Sequence, residues 1–209
     1  MKKTLIPLTL LIFSVASAFG AGPAKVPAYL DPTQPVEVRV EDALGRMTLE
    51  EKVAMLHAQA RFSSPGVPRL GIPEIWCSDG PHGIRAEVLW DSWEQAGWTN
   101  DFCTAFPALT ALAATWDPEM SHRYGVAIGE EAAYRKKTVL LGPGVNIYRT
   151  PLCGRNFEYM GEDPCLAAKM CVPYIQGVQE QGVAACVKHF ALNNQEFKAY
   201  RSFRVLKSL

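Results

Sequence analysis

A lysine and a histidine interrupt an apolar run near the end of the chain. Lys188 and His189 fall within residues 183–192, which otherwise have the composition of a buried strand. A charge in a strand buried on both faces is costly unless it is paired or faces a polar cavity. Lysine and histidine N–H groups and a carboxylate from Asp79 would together suit the vicinal hydroxyls of a sugar. Alternatively, Lys188 lies on the surface and His189 is a core residue.

Tryptophan is concentrated around Asp79. Of the five tryptophans, four lie in or near the loop that follows this residue, and the full set is Trp76, Trp90, Trp93, Trp98 and Trp116. The C–H faces of a sugar stack on aromatic rings, although most tryptophans serve packing. Their placement is therefore consistent with a carbohydrate ligand without demanding one.

Apolar runs separated by turn residues predict strands that alternate with helices. We predict strands within 72–78, 109–116, 138–147 and 183–192. A capping box at Thr48 predicts a helix over 49–58, and Asp117-Pro118 and Asp163-Pro164 each place an N-cap before a first-position proline. This alternation is typical of βαβ units with a parallel sheet, and so of the α/β class.

The polar residues follow the predicted strands. Asp79, Trp116, Asn146 with Arg149, and the Lys188-His189 pair would lie at the carboxyl ends of four successive strands. In β/α barrels and in open α/β sheets this edge carries the ligand site. Because neither nucleotide-binding glycine motif is present, we favour the barrel. Four strands are half of the eight that close such a barrel. We therefore predict a partial (β/α)8 TIM-barrel-type domain that is truncated before closure.

Composition excludes several classes of function. Apolar residues make up 48% and charged residues 20% of the 209-residue chain, as in ordinary globular proteins. Basic and acidic residues number 21 each, which leaves no basic field for nucleic acid. The six cysteines allow 15 disulfide connectivities and contain no C-x-x-C pair, so their pairing stays open. We predict no cofactor and no metal site.

The first 18 residues have the pattern of a secretory leader. Lys2 and Lys3 precede an apolar run over 5–15, and Ala16-Ser17-Ala18 provides a cleavage site. The run is too short to span a bilayer, so we expect no membrane span. We therefore expect a signal peptide over 1–18, a periplasmic or extracellular location, and a flexible Pro/Ala/Gly-rich lead-in over 19–36.

Several motifs together resemble the family 3 glycoside hydrolases, which are exo-acting β-glucosidases and β-xylosidases. They occur in the family's order over about 37–197 and comprise Arg46 to Val53, Ser78-Asp79-Gly80-Pro81-His82-Gly83-Ile84-Arg85, Gly154-Arg155-Asn156-Phe157-Glu158, Gly161-Glu162-Asp163-Pro164 and Lys188-His189-Phe190-Ala191. The resemblance implies an N-terminal barrel-type domain and cleavage of terminal β-linked sugars with retention, on a β-linked oligosaccharide or glycoside. By the same resemblance, Asp79, Arg155, Lys188 and His189 hold hydroxyls of the terminal sugar.

The two catalytic carboxyl groups of this family have no counterpart among the residues of the chain. The family's nucleophile is an Asp in a Ser/Thr-Asp-Trp/Tyr-type motif, and its acid/base is a later Glu. None of the seven aspartates has that context: Asp31, Asp42, Asp79, Asp91, Asp101, Asp117 and Asp163. We expect no catalytic residue here and an inactive chain that carries the substrate-binding part.

Other interpretations stay open. The chain could be a non-catalytic module that binds a sugar or a protein partner, or an unrelated barrel enzyme in which Lys188 forms a Schiff base. Residues 198–209 depart from the family and form a basic tail. This tail is either the end of a truncated or frame-shifted sequence or a basic amphipathic helix.

Overall fold

The computed structural model describes residues 26–97, 102–190 and 193. The predicted signal peptide over 1–18 and the basic tail over 198–209 lie outside the described residues, as does the first part of the lead-in. The chain divides into two compact units, one up to Arg46 and one from Met47 onward. The boundaries predicted for the segments 19–36 and 37–197 stay predictions.

The first unit is a short helical segment. A 3-10 helix, Ala28–Leu30, precedes helix α1, Val36–Arg46. The backbone N–H of Tyr29 donates to the Asp42 carboxylate at 3.0 Å, and the Arg39 Nε donates to the carbonyl oxygen of Tyr29 at 3.3 Å. These two bonds fasten the 3-10 helix to one side of α1.

An open mixed sheet underlies the second unit. Within the described residues it has four strands in the order β1 (Ser63–Ser64), β2 (Ile75–Asp79), β3 (Val139–Leu141) and β4 (Ala184–Ala185). The pairs β2–β3 and β3–β4 are parallel, as predicted, whereas β1 pairs antiparallel with β2. The expectation of a wholly parallel sheet is therefore corrected at one edge, where the connection from β1 to β2 is too short for a parallel crossover.

One predicted strand is a helix. Residues 109–116 contain helix α3, Leu109–Ala113, which buries Leu109, Leu112 and Ala113. A short apolar run does not distinguish a buried strand from a buried helix by periodicity, and alanine and leucine favour the helix. Trp116 therefore follows a helix and not a strand. In the run 138–147 the strand is shorter than predicted, at Val139–Leu141, and in the described part of the run 183–192 it is Ala184–Ala185.

The helix starts follow the predicted caps. Helix α2, Leu49–Ala54, begins after Thr48, whose side chain forms both bonds of the capping box with Glu51. In helix α4, Pro118–Tyr134, the Asp117 carboxylate accepts from two backbone N–H groups, and in α5, Pro164–Glu180, Asp163 accepts from one. The predicted starts are confirmed because a cap depends on local chemistry alone. The predicted end at 58 is wrong, since α2 ends at Ala54.

Helices α4 and α5 pack closely through glycines. A methyl group on Gly125 would lie 2.2 Å from the carbonyl oxygen of Tyr174, and one on Gly177 would lie 2.3 Å from that of His122. The two helix backbones are therefore in direct contact, which no larger residue would permit. The core beside them is apolar and includes Ile128, Leu140, Met170, Tyr174 and Val178. No helix among the described residues has the length and apolarity that crossing a membrane requires.

Candidate functional site

Asp79 is the last residue of β2 and begins a tightly folded loop. Gly80 has a φ of +123°, and a Cβ there would lie 1.8 Å from the carbonyl oxygen of Gly83, so only glycine fits. The Gly80 N–H donates to Asp79 Oδ1 at 2.9 Å. The buried hydroxyl of Tyr174 on α5 donates to the carbonyl oxygen of Pro81 at 2.7 Å. The loop is thus fixed to the sheet at one end and to α5 in its middle.

Lys188 reaches Asp79 from beyond the end of β4. Its backbone N–H donates to the carbonyl oxygen of Pro143 at 3.0 Å, and its carbonyl oxygen accepts from the N–H of Val145 at 2.9 Å. Its Nζ lies 2.7 Å from Asp79 Oδ1 and 3.8 Å from Glu158 Oε2. The Lys188 side chain is only 13% exposed and that of Asp79 is 43% exposed. A largely enclosed ammonium group therefore holds a carboxylate that solvent and ligands can reach.

Arg155 and Glu158 form an ion pair across one helical turn. Arg155 directly precedes the 3-10 helix Asn156–Glu158, and Glu158 is the last residue of that helix. Side chains three residues apart lie on the same side of a 3-10 helix. Arg155 Nε donates to Glu158 Oε1, and the Glu158 side chain is 7% exposed. Glu158 is therefore an internal counter-charge for both Arg155 and Lys188.

The hydrogen bonds of His189 define its tautomer. Its Nε2 lies 2.8 Å from Arg155 Nη2, and because a guanidinium group can only donate, Nε2 is the acceptor. The Tyr159 hydroxyl donates to the carbonyl oxygen of Asn193 at 3.2 Å and lies 2.9 Å from His189 Nδ1. Nδ1 therefore carries the proton and donates to the Tyr159 oxygen, and the ring is neutral.

The backbone of His189 is held by an amide side chain. The His189 N–H donates to Asn146 Oδ1 at 2.6 Å, and Asn146 Nδ2 donates to the carbonyl oxygen of His189 at 3.2 Å. The Lys188–His189 peptide bond is cis. Asn146 thus fixes the position of the imidazole ring relative to Arg155.

Burial and charge set the protonation states in this cluster. Burial acts to raise the pKa of Asp79, but the hydrogen bond and charge of Lys188, aided by the Gly80 N–H and the charge of Arg85, lower that pKa below 3.8. Burial, followed by the charges of Arg155 and Lys188, lowers the pKa of His189 below 6.5 against the opposing charges of Glu158 and Asp79. At neutral pH the carboxylate is ionised and the imidazole is neutral.

The structure brings all four predicted site residues together. Asp79, Arg155, Lys188 and His189 join with Glu158 in one connected set of contacts, which we call the polar cluster. The sequence analysis assigned no role to Glu158 or Tyr159. The spacing of Arg155 and Glu158 was an available signal, but the bond between Tyr159 and His189 joins residues 30 apart and has no local signature.

Metal binding finds no support in the described part of the chain. No group of three or more His, Cys, Asp or Glu side chains there is placed to hold an ion. Five of the described cysteines are outside any disulfide: Cys77, Cys153, Cys165, Cys171 and Cys186. The polar cluster offers N–H donors, one accessible carboxylate and a neutral imidazole, which is a set suited to hydroxyl groups.

The neutral state of His189 predicts a pH-dependent loss of stability. The folded-state pKa of His189 is below 6.5, so between 6.5 and that lower value the unfolded chain binds more protons than the folded chain. This contribution to stability is present above pH 6.5 and is lost as the pH falls through that window. A histidine NMR titration, assigned with His189→Gln, should give a midpoint below 6.5 and a proton on Nδ1. A midpoint at or above 6.5, or a proton on Nε2, would contradict the assignment.

The parallel strands, the alternating helices and a polar cluster at the carboxyl ends of strands define part of a TIM-barrel-type α/β domain. Within that class, the model of the glycosyl hydrolase family 3 N-terminal domain matches residues 44–195. The chain belongs to this family, and the resemblance found from the motifs is confirmed.

Curated proteins are similar in sequence to this chain over most of its length. The chain is 68% identical over 199 residues to beta-glucosidase BoGH3A of Bacteroides ovatus, which covers 94% of this chain and 26% of that protein. It is 46% identical over 162 residues to thermostable beta-glucosidase B of Acetivibrio thermocellus, which covers 77% of this chain and 21% of that protein. The chain thus spans about a quarter or less of the length of these curated relatives.

Solved structures show the same fold. Beta-glucosidase 3B from Thermotoga neapolitana in complex with glucose aligns with a TM-score of 0.66 and 40% identity over 75% of this chain and 24% of that one. Beta-glucosidase from Kluyveromyces marxianus in complex with glucose aligns with a TM-score of 0.68 and 36% identity over 75% of this chain and 18% of that one. The TIM-barrel-type fold predicted from the sequence is confirmed.

Proposed function

We propose that this chain supplies the part of a retaining β-glycosidase that holds the terminal sugar, and that Asp79, Arg155, Lys188 and His189 are its substrate-binding residues. The observation that carries the proposal is the contact between part-buried Lys188 and half-exposed Asp79, in which Lys188 Nζ lies 2.7 Å from Asp79 Oδ1. A carboxylate held in this way accepts hydrogen bonds from two vicinal hydroxyls, while neighbouring N–H groups donate to their oxygens. Two relatives whose structures contain glucose support a β-glucoside as the substrate class.

The polar cluster is unsuited to the bond-breaking steps. Retention requires a carboxylate nucleophile and a carboxyl acid/base about 5 to 5.5 Å apart. Asp79 has a lowered pKa and would not carry the proton that a general acid donates. Glu158 is 7% exposed and is occupied by Arg155 and Lys188, so it does not reach a substrate. We therefore propose that residues 1–209 bind the sugar and contain neither catalytic carboxyl group.

A two-part experiment tests this proposal. Isothermal titration of the purified 209-residue chain with glucose should show saturable binding, and xylose titrated in parallel should rank the two sugars. Incubation with p-nitrophenyl β-glucoside and β-xyloside should release no p-nitrophenol above the blank. Absence of saturation with both sugars would contradict the binding role. Release well above the blank would contradict the absence of the catalytic groups.

A second candidate function is a sugar-binding module without catalysis. It is favoured by one observation: the four predicted binding residues form, together with Glu158, one connected set of contacts within this chain. The same two-part experiment bears on it, since saturation without hydrolysis is the behaviour of such a module. Expression of the chain with its following coding sequence would then distinguish the two candidates, because only the glycosidase would gain hydrolysis.

We also propose that the protein is exported to the periplasm or the extracellular space. The support is the leader pattern of residues 1–18, with its two lysines, apolar run and small residues at the exit. Mature protein recovered from outside the cytoplasm should begin at Phe19. Recovery of full-length cytoplasmic protein with Met1 intact would contradict export.

A further inference from the structure

Two hydroxyl groups from distant parts of the chain meet beside the segment that carries Arg155. Thr110 belongs to helix α3, and Tyr148 lies in the loop after β3, 38 residues further along the chain. The Tyr148 hydroxyl oxygen and Thr110 Oγ1 are in direct contact. We call these two residues the hydroxyl clasp.

The hydroxyl clasp binds the backbone of the 3-10 helix Asn156–Glu158. The Tyr148 hydroxyl lies 2.5 Å from the carbonyl oxygen of Asn156 and 3.0 Å from that of Tyr159. Thr110 Oγ1 lies 3.2 Å and 3.1 Å from the same two oxygens. Each hydroxyl has one proton to donate, so the two together can serve both carbonyl groups. Carbonyl groups at a helix end lack partners within the helix, and side chains commonly satisfy them.

Other contacts hold both members of the hydroxyl clasp in place. Leu109 and Leu112 of α3 are 0% and 4% exposed, so apolar side chains anchor the short helix that carries Thr110 in the core. The backbone N–H of Tyr148 donates to the carbonyl oxygen of Gly161 at 3.1 Å. The two hydroxyl groups therefore come from backbone that does not depend on the 3-10 helix for its position.

Side chains of the same short segment reach the polar cluster. Arg155 Nη2 lies 2.8 Å from His189 Nε2, and the Tyr159 hydroxyl lies 2.9 Å from His189 Nδ1. Glu158 bonds Arg155. A 3-10 helix of three residues has few hydrogen bonds of its own and their geometry is poor, so outside contacts must fix its position. The hydroxyl clasp supplies such contacts through the backbone, and the side chains transmit them to the imidazole.

We propose that Thr110 and Tyr148 are positioning residues of the sugar site. They fix the carbonyl groups of the segment 156–159 and so hold Arg155 and His189 in the geometry that receives the terminal sugar. This inference rests on the proposed function and adds to it two residues that act on the sugar only through others.

Isothermal titration of the 209-residue chain with glucose tests the hydroxyl clasp by removing single hydroxyl groups. Tyr148→Phe and Thr110→Val should each weaken glucose binding by about threefold or more, because each loses a hydrogen bond that orients the site. Thr110→Ser keeps a hydroxyl group and should bind glucose as the parent chain does. The double variant should bind about as weakly as the weaker single variant, because groups that act as one unit are not additive.

Ser121→Ala is the matched control for these variants. Ser121 Oγ donates to the carbonyl oxygen of Met170 at 2.6 Å, between α4 and α5. The control therefore also removes one bond from a hydroxyl group to a backbone carbonyl. It should lower the urea midpoint of unfolding and leave glucose affinity unchanged.

An NMR titration of His189 distinguishes positioning from a loss of stability. Burial and then the charge of Arg155 lower the pKa of His189 below 6.5. A displaced Arg155 lowers it less, so the midpoint should rise toward 6.5 in Tyr148→Phe. Ser121→Ala should leave the midpoint unchanged, because a change of stability alone does not alter the imidazole of the folded chain.

The outcomes separate the hydroxyl clasp from the proposed function. An unchanged His189 midpoint in Tyr148→Phe would overturn the clasp, whatever the affinity. A loss of glucose affinity of less than about threefold in either single variant, an equal loss in Thr110→Ser and Thr110→Val, or additive losses in the double variant would also overturn it. If the parent chain does not bind glucose, the proposed function fails, and the His189 midpoint alone decides whether the clasp orients the imidazole.

Discussion

Asp79→Asn is expected to weaken glucose binding by about 10- to 100-fold, because a hydrogen bond to a charged group is worth about 1.5 to 3 kcal/mol. The substitution keeps the size of the side chain but removes the charge that Lys188 Nζ contacts at 2.7 Å. The amide also replaces one of the two acceptor oxygens with an N–H donor, so it cannot offer a separate oxygen to each of two vicinal hydroxyls. Isothermal titration of the variant with glucose measures the effect.

Asp31→Asn is the matched control for this prediction. Asp31 is a surface aspartate in the N-terminal unit, and its carboxylate accepts from the backbone and side chain of Thr33. The same change of charge there should leave glucose affinity unaltered. Binding by Asp79→Asn within twofold of the parent chain would remove Asp79 from the substrate-binding set.

Glu158→Gln should reduce the free energy of unfolding by about 3 kcal/mol, as expected when one partner of a buried ion pair is removed. Glu158 is 7% exposed, bonds Arg155, and lies 3.8 Å from Lys188 Nζ. Its neutralisation leaves two cations in a confined region with the half-exposed Asp79 as their nearby carboxylate. We expect a lower urea midpoint with an unchanged slope, together with weaker glucose binding, because Arg155 loses the bond that orients it.

A surface carboxylate provides the comparison for Glu158. Glu180 is 56% exposed and pairs with His122 at 3.0 Å. Glu180→Gln should change the free energy of unfolding by less than about 0.5 kcal/mol, since polar contacts between exposed side chains contribute little. Equal effects of the two substitutions would show that Glu158 is not an internal counter-charge. Because Glu158 acts on the sugar only by positioning Arg155, its loss should weaken the binding of glucose and of disaccharides by the same factor.

Local chemistry made part of the fold predictable. The caps at Thr48, Asp117 and Asp163 each involve residues two or three positions apart, and all three helices begin where these caps predict. The strand that ends at Asp79 was equally predictable from the sequence, because a loop rich in glycine and proline follows a short apolar run. The run 109–116 was wrongly predicted to be a strand, because its length and periodicity do not distinguish a strand from a helix.

Long-range contacts set the limit for the site. The family motifs identified Asp79, Arg155, Lys188 and His189, and the structure places them in contact across separations as large as 109 residues. Tyr159 was missed because its partner His189 is 30 residues away and contacts it only once the loop after β3 and the end of β4 converge. Glu158 was missed although its spacing from Arg155 was a local signal. The antiparallel pairing of β1 was missed for a related reason: a strand of two residues has too few side chains to show a period.

The close contact between α4 and α5 links a remote position to the affinity for sugar. The atom that a methyl group on Gly125 would strike is the carbonyl oxygen of Tyr174, and the hydroxyl of this same tyrosine supports Pro81 in the loop after Asp79. A larger residue at position 125 would therefore push on the support of the ligand-binding loop as well as strain the helix pair. Natural variation at this glycine, far along the chain from any sugar contact, would tune recognition through the backbone.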